Sequence, residues 1–381
     1  MKFSPITDVL IIGGGIIGLS LARQLRRKGI KKITILEKNS LCGAEASSAA
    51  AGMLAPQSET DKFDDFYYLC RESRDSYPNF ANELFDETSI DIELDQNGTL
   101  YLAFTETDAA EIRERYEWQI KAGLDVEHLT AEDVRKAEPF ISPDVREALF
   151  FPNDWQVENR KLVSALRKFA ELHQINIVEN AEVINLLSEN GIVTGAETES
   201  EKFLADNVIL TTGAWTSLIK IGENASMIVN VKPIRGQMYS YKTAKRLFTK
   251  VIYSPRGYIV PRADGRILVG ATVENVGFDK SVTASGIEYL RENALEISPN
   301  FANLEISERW AGLRPSAPDG LPILGSFPEI KNFYVATAHY RNGILLAPLT
   351  AEIMADRIVG NKESKYLDVF SPRRFNAVKT F

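Results

Sequence analysis

A chain of 381 residues exceeds what one hydrophobic core supports, so two domains are expected. Its 44% hydrophobic and 25% charged residues are ordinary for a globular protein, and no apolar run approaches the roughly 20 residues of a membrane span. The net charge of −8 argues against nucleic acid and anionic membrane surfaces as partners, because both call for a basic patch, and points to small molecules.

Met1-Lys2-Phe3-Ser4-Pro5 leads directly into the first apolar run with no room for a charged, apolar and cleavable leader, so a cytoplasmic location is expected. Cys42 and Cys70 cannot build a disulfide framework or a four-thiolate metal site and read as free thiols. His128, His173 and His339 lack metal-ligand spacing, so no metal is expected.

The run Asp8-Val9-Leu10-Ile11-Ile12 breaks into Gly13-Gly14-Gly15-Ile16-Ile17-Gly18 and continues in helical rhythm over 19–28. This is strand, glycine turn and helix start. Gly13 allows the tight turn, Gly15 lets backbone approach a pyrophosphate, and Gly18 lets helix pack on strand. N–H groups at the helix start then hold the phosphates. A second apolar run, 33–36, ends in Glu37, where a dinucleotide-binding unit places the acid that accepts from ribose hydroxyls. Glu37, in place of a phosphate-seeking arginine, favours FAD or NAD over NADP.

The tract 41–55 is rich in small residues. It reads either as a surface for a large flat ligand, with Ser47 and Ser48 as hydrogen-bond donors, or as a closely packed helix, which the residues alone favour. Apolar spacing predicts a long amphipathic helix over 63–84. Segments 92–94 and 98–104 and a helix over 108–122 open a second, mixed domain. Near 150–152 the chain returns to the first, with a helix over 161–172, a strand over 175–178 and a hairpin turning at Asn190-Gly191. The strand 208–211 ends at Thr212-Gly213-Ala214-Trp215, and the carboxyl end of a buried strand is where an α/β sheet meets its ligand. Strands over 231–241, 251–253, 258–261 and 267–271, with a turn at Asp264-Gly265, read as a mostly antiparallel sheet. The strand 333–337, the turn His339-Tyr340-Arg341-Asn342-Gly343 and the helix 344–359 close the nucleotide unit.

The glycine turn, Glu37, the tract 47–53, Tyr258-Ile259-Val260-Pro261-Arg262, Trp310-Ala311-Gly312-Leu313-Arg314-Pro315 and the segment 339–346 occur together in this order. Over nearly the whole chain the sequence resembles the bacterial glycine oxidases of the thiamine pathway, relatives of the D-amino-acid and sarcosine oxidases. The resemblance implies an α/β FAD-binding Rossmann-type domain (1–87, 153–229 and 308–381) interleaved with an α+β substrate domain on a mostly antiparallel sheet (88–152 and 230–307), often as a homotetramer. It makes Ile16, Ile17, Glu37, Lys38, Ala46, Ser47, Ala51, Gly52, Met53, Val183, His339, Tyr340, Arg341, Asn342, Gly343, Ile344 and Leu345 the FAD contacts. Arg314, Tyr258 and Arg341, with Met53, become the substrate contacts.

A planar, permanently charged arginine suits an amino-acid carboxylate, and Arg314 takes that role. The implied reaction is hydride transfer from glycine, sarcosine or D-alanine to flavin. It gives an imine that hydrolyses to glyoxylate and ammonia or passes to a thiazole synthase, with oxygen as the acceptor that yields hydrogen peroxide. No residue acts as acid or base. A sarcosine or D-amino-acid oxidase, or a D-amino-acid dehydrogenase using another acceptor, are the alternatives. The chain has no cysteine after Cys70, so the FAD is expected to be noncovalent. It departs from the family at Arg256, where a histidine stands, and at Val273, where a methionine stands.

Overall fold

The computed structural model describes residues 2–221 and 229–375. Two large sheets organise it. The first is centred on five parallel strands in the order Ile330–Thr337, Glu201–Leu210, Thr7–Ile12, Ile33–Leu36 and Asn176–Val178. The central strands are apolar without alternation because both faces are covered. Val9 and Ile11 face a core shared with the helices, whereas Leu10 and Ile12 face a second core shared with the hairpin. That hairpin, Val183–Glu189 with Ile192–Thr198, turns at Asn190 and Gly191, both with positive φ (50° and 76°), as the tightest hairpin turns require.

The glycine turn is built as its residues dictate. Gly13 has φ +106°, and a Cβ on Gly18 would lie 2.1 Å from the Gly13 carbonyl oxygen, so helix Ile16–Arg27 can press against its own strand only with glycine there. The long helix predicted from apolar spacing is Asp65–Thr88, capped by the Asp64 carboxylate. It packs with Ile16–Arg27 against the last helix, Gly343–Gly360. Pro348 inside the last helix removes the N–H that would bond the Ile344 carbonyl. The Tyr77 hydroxyl of the long helix donates to that carbonyl instead, and Ser73 Oγ donates to the Leu345 carbonyl at 2.6 Å.

The second sheet has eight strands in the order Ile306–Ser316, Lys232–Lys242, Arg266–Gly270, Gly257–Pro261, Val251–Ser254, Thr99–Ala103, Glu147–Phe151 and Glu127–Thr130. Every pair is antiparallel except Val251–Ser254 with Thr99–Ala103. Helix Ala284–Ile297 covers one face through Ile287, Leu290, Ala294 and Ile297. The segment 92–94, read from sequence as part of a second, mixed domain, forms no strand. Glu93 has φ +53° and the Ile92 carbonyl accepts from Glu158 N–H at 2.9 Å. A flavin-domain parallel sheet joined to a mostly antiparallel one is the fold class expected from the sequence.

The small-residue tract folds into a short helix, Ala46–Ala49, and a strand, Met53–Leu54, and the antiparallel sheet grips it from one side. Trp310 Nε1 donates to the Ala49 carbonyl at 3.0 Å, and buried Arg262 donates to the Ala51 carbonyl at 2.8 Å. A Cβ on Gly312 would stand 2.6 Å from Ala49 Cβ. Burial lowers the Arg262 pKa to about 10, which leaves it charged at neutral pH, beside Glu158 at 3.5 Å.

Candidate active site

A cavity of about 370 Å³ runs between the two sheets. The glycine turn, the small-residue tract, the ends of three parallel strands, the start of the last helix and the antiparallel sheet all line it. Of the residues singled out from sequence, Gly13, Gly15, Ile16, Ile17, Glu37, Lys38, Ala46, Ser47, Ala51, Gly52, Met53, Val183, Thr212, Gly213, Trp215, Tyr258, Arg314, His339, Tyr340, Arg341, Asn342, Gly343 and Ile344 line it. Three do not. Gly18 lies beneath the turn as a packing glycine. Ser48 Oγ donates to the Gly43 carbonyl at 2.6 Å, so it is not free to serve a phosphate or sugar chain. Leu345 is buried in the helical core, because its neighbour Ile344 takes the cavity side of the helix.

At one end, the helix Ile16–Arg27 presents its amino terminus with no acidic residue in its first turn. Ser47 Oγ accepts from Ile16 N–H at 2.9 Å, which leaves its own O–H to donate into the cavity. Gly15 has an ordinary φ of −74°, and a Cβ there would meet only Ser47 Oγ, at 3.4 Å. Its missing side chain is therefore cavity space, and the strand-helix turn does not need it for folding. Glu37 is more occupied than expected, since Oε2 accepts from Gly14 N–H at 2.9 Å and Oε1 accepts from the Asn39 backbone and side chain at 2.9 and 2.8 Å. One lone pair, on Oε2, is left for a ribose hydroxyl. Lys38 Nζ lies 3.3 Å from the Trp215 ring centroid, a cation–π contact.

The last helix also opens on the cavity, with Asn342 as an N-cap that makes no side-chain bond and no acid in the first turn. Two helix amino termini, each carrying about half a positive charge, therefore meet one cavity. Ala338 and Tyr340 hold φ values of 58° and 48°, a left-handed conformation that L side chains adopt at a cost of order 1–3 kcal/mol. This kink turns His339 inward. His339 Nε2 meets Thr350 Oγ1 at 3.1 Å, and burial lowers its pKa to about 3. The imidazole is neutral and supplies no charge.

Arg314, Tyr258, Arg341 and Glu59 line the cavity together. The Arg314 guanidinium lies over Gly236, where a Cβ would be 2.4 Å from it. It donates to the Thr272 carbonyl at 3.0 Å, and no carboxylate among the described residues pairs with it. Burial raises the Tyr258 phenol above its ordinary value, so it remains a donor at neutral pH. Its ring stacks with Tyr253 at 6.3 Å. Arg341 pairs with Glu59 at 3.5 Å. Sequence reading missed Glu59, which stands in a polar loop and has no mark except its charge.

Tyr258 and Arg341 also line a second cavity of about 480 Å³, and both departures from the family pattern, Arg256 and Val273, line this one. Arg256 pairs with Asp108 at 3.1 Å and Glu296 at 2.9 Å. Cys42 and Cys70 are buried, and neither lines either cavity.

The glycine cradle, its open Gly15 face, the residual acceptor of Glu37 and two positive helix ends fit a dinucleotide. Residues 8–357 match the family of FAD dependent oxidoreductases designated DAO, and the chain belongs to it. It is 35% identical over 376 residues to a glycine oxidase of Bacillus licheniformis, covering 97% of this chain and 98% of that protein. It is 36% identical to the bifunctional protein ThiO/ThiG of Synechocystis sp., where 97% of this chain matches 54% of the relative. The crystal structure of glycine oxidase from Geobacillus kaustophilus superposes with a TM-score of 0.91 at 33% identity, covering 99% of this chain and all of that one. The protein is an FAD-dependent oxidoreductase of the DAO family. No helix among the described residues is long and apolar enough to cross a membrane.

Proposed function

We infer that the chain is a glycine oxidase that deaminates glycine, sarcosine and D-alanine with oxygen as acceptor. The observation that carries this reading is the Arg314 guanidinium, which has no acidic partner among the described residues and lies beside the buried Tyr258 hydroxyl in the cavity that holds the glycine cradle. An amino acid supplies the missing anion. Arg314 and Tyr258 bind its carboxylate, and Arg341, paired with Glu59, completes the same cavity. Met53 and Met238 line the same space and keep the substrate out of water.

The flavin, held by the cradle, Glu37, Ser47 and the start of the last helix, supplies a two-electron acceptor for hydride from the substrate Cα. No acidic or basic side chain at this end is free to take a proton, because Glu59 is paired with Arg341, Tyr258 is a raised phenol and His339 faces Thr350. The residues therefore act by position and by binding the neutral-amine form of the substrate.

Because both thiols lie outside the cavity, the FAD is noncovalent in this reading. The matching half of a bifunctional ThiO/ThiG protein supports handing the imine to a thiazole synthase. A homotetramer in the cytoplasm and the domain boundaries read from sequence complete the proposal. Glycine added without oxygen bleaches the flavin band of the purified protein, and air then restores it with one peroxide per glycine. A flavin band that glycine, sarcosine and D-alanine all leave unbleached overturns the reading. Bleaching without peroxide assigns the electrons to another acceptor.

A further inference from the structure

The substrate end holds two guanidinium groups but only one free positive charge. Arg314 has no carboxylate partner among the described residues, whereas Arg341 is paired with Glu59 at 3.5 Å in the same cavity. Glu59 comes from the loop after the small-residue tract. The two amides before it in that loop are fixed, since Gln57 and Ser58 N–H groups donate to the buried Asp154 carboxylate at 3.1 and 2.6 Å. Glu59 is thus held beside Arg341 by the fold. Arg341 is held well above its ordinary pKa, foremost by Glu59. The two tyrosines that face them, Tyr253 and Tyr258, carry no charge at neutral pH.

We propose that Glu59 is a specificity-determining residue that spends the charge of Arg341 inside the protein, so that the site accepts monocarboxylic amines and rejects dicarboxylic ones. A first carboxylate binds Arg314 and Tyr258. A second carboxylate meets an arginine already neutralised and the like charge of Glu59, a repulsive element of the kind that sets selectivity. Without the Glu59 charge, the site would hold two unpaired guanidinium groups and suit a dianion such as D-aspartate or iminodiacetate. This rests on the amine-oxidase reading only for where the first carboxylate sits.

The test compares acetate with malonate on the FAD-loaded protein, with perturbation of the flavin spectrum as the binding signal. Glu59→Gln raises malonate affinity relative to acetate by about tenfold or more over wild type, the scale of a partly desolvated charge contact, and Glu59→Asp returns the ratio toward wild type. The same variant raises the ratio of kcat/KM for D-aspartate over glycine, through KM. Should Glu59→Gln not yield a flavoprotein, Glu59→Ser serves the same comparison. An unchanged malonate-to-acetate ratio in a variant that retains flavin overturns the inference, even where glycine is oxidised normally. A changed ratio in a protein that does not oxidise glycine leaves the inference standing and overturns only the substrate assignment.

Discussion

In the proposed reading, Arg314 concentrates the recognition of substrate in one side chain. Arg314→Ala is expected to retain flavin and weaken glycine binding by about 2–5 kcal/mol, the range for truncating one partner of a buried charge pair. Unchanged glycine affinity in a titration of flavin bleaching would remove Arg314 from the site. His339 makes a different kind of prediction. Its pKa falls from 6.5 to about 3 on folding, so below pH 6.5 the unfolded chain binds a proton that the folded chain refuses. Stability therefore declines as pH drops from 6.5 toward 3, by up to about 1.4 kcal/mol per pH unit from this group. His339→Gln flattens that part of the profile, and urea unfolding at a series of pH values measures it. Neither role follows from the residue type alone. The place of Arg314 in the cavity was legible because it sits inside the motif 310–315, while that of Glu59 was not, because its partner Arg341 is distant in sequence and the loop around it carries no periodic pattern.

Among the elements, the first turn separates folding from binding. Gly18→Ala drives a Cβ to 2.1 Å from the Gly13 carbonyl and should lower stability. Gly15→Ala meets nothing nearer than 3.4 Å, so the protein folds but its flavin affinity falls by an estimated tenfold or more, since the new methyl occupies the phosphate approach. Flavin content at purification and the melting curve of the flavin-free protein distinguish the two. The last helix offers a coupled test. Tyr77→Phe leaves the Ile344 carbonyl without a donor and costs about 1–3 kcal/mol. In a Pro348→Ala background the restored N–H takes over, and the Tyr77→Phe cost shrinks, which a double-mutant cycle reads directly. Helices and strands were legible where burial imposes a pattern, a helical period in Asp65–Thr88 and an unbroken apolar run in Thr7–Ile12. The bond from Tyr77 to Ile344 was not, because a proline in a helix announces a missing donor without naming its replacement.

Across the whole molecule, the flavin site lies between sheets that are covalently interleaved, so ligand binding should stabilise both together. Free FAD at about 100 times its dissociation constant adds roughly 2.7 kcal/mol to unfolding. A single melting transition that moves upward with FAD checks this, and two transitions of which one stays fixed would contradict it. The sequence announced a parallel sheet through its buried apolar runs and an antiparallel one through its turns. It did not announce the strand order, since the neighbours Thr99–Ala103 and Val251–Ser254 are joined by pairing across intervening domains, which no local pattern encodes. The helix Gly343–Gly360 and the strand Ile330–Thr337, both lining the cavity, follow the glycine cradle far downstream in the chain. During translation a glycine cradle therefore emerges long before the walls that retain a nucleotide, and capture of the cofactor waits for those walls to be made. A release-arrested nascent chain lacking that helix would carry no flavin, however well its first strands had paired.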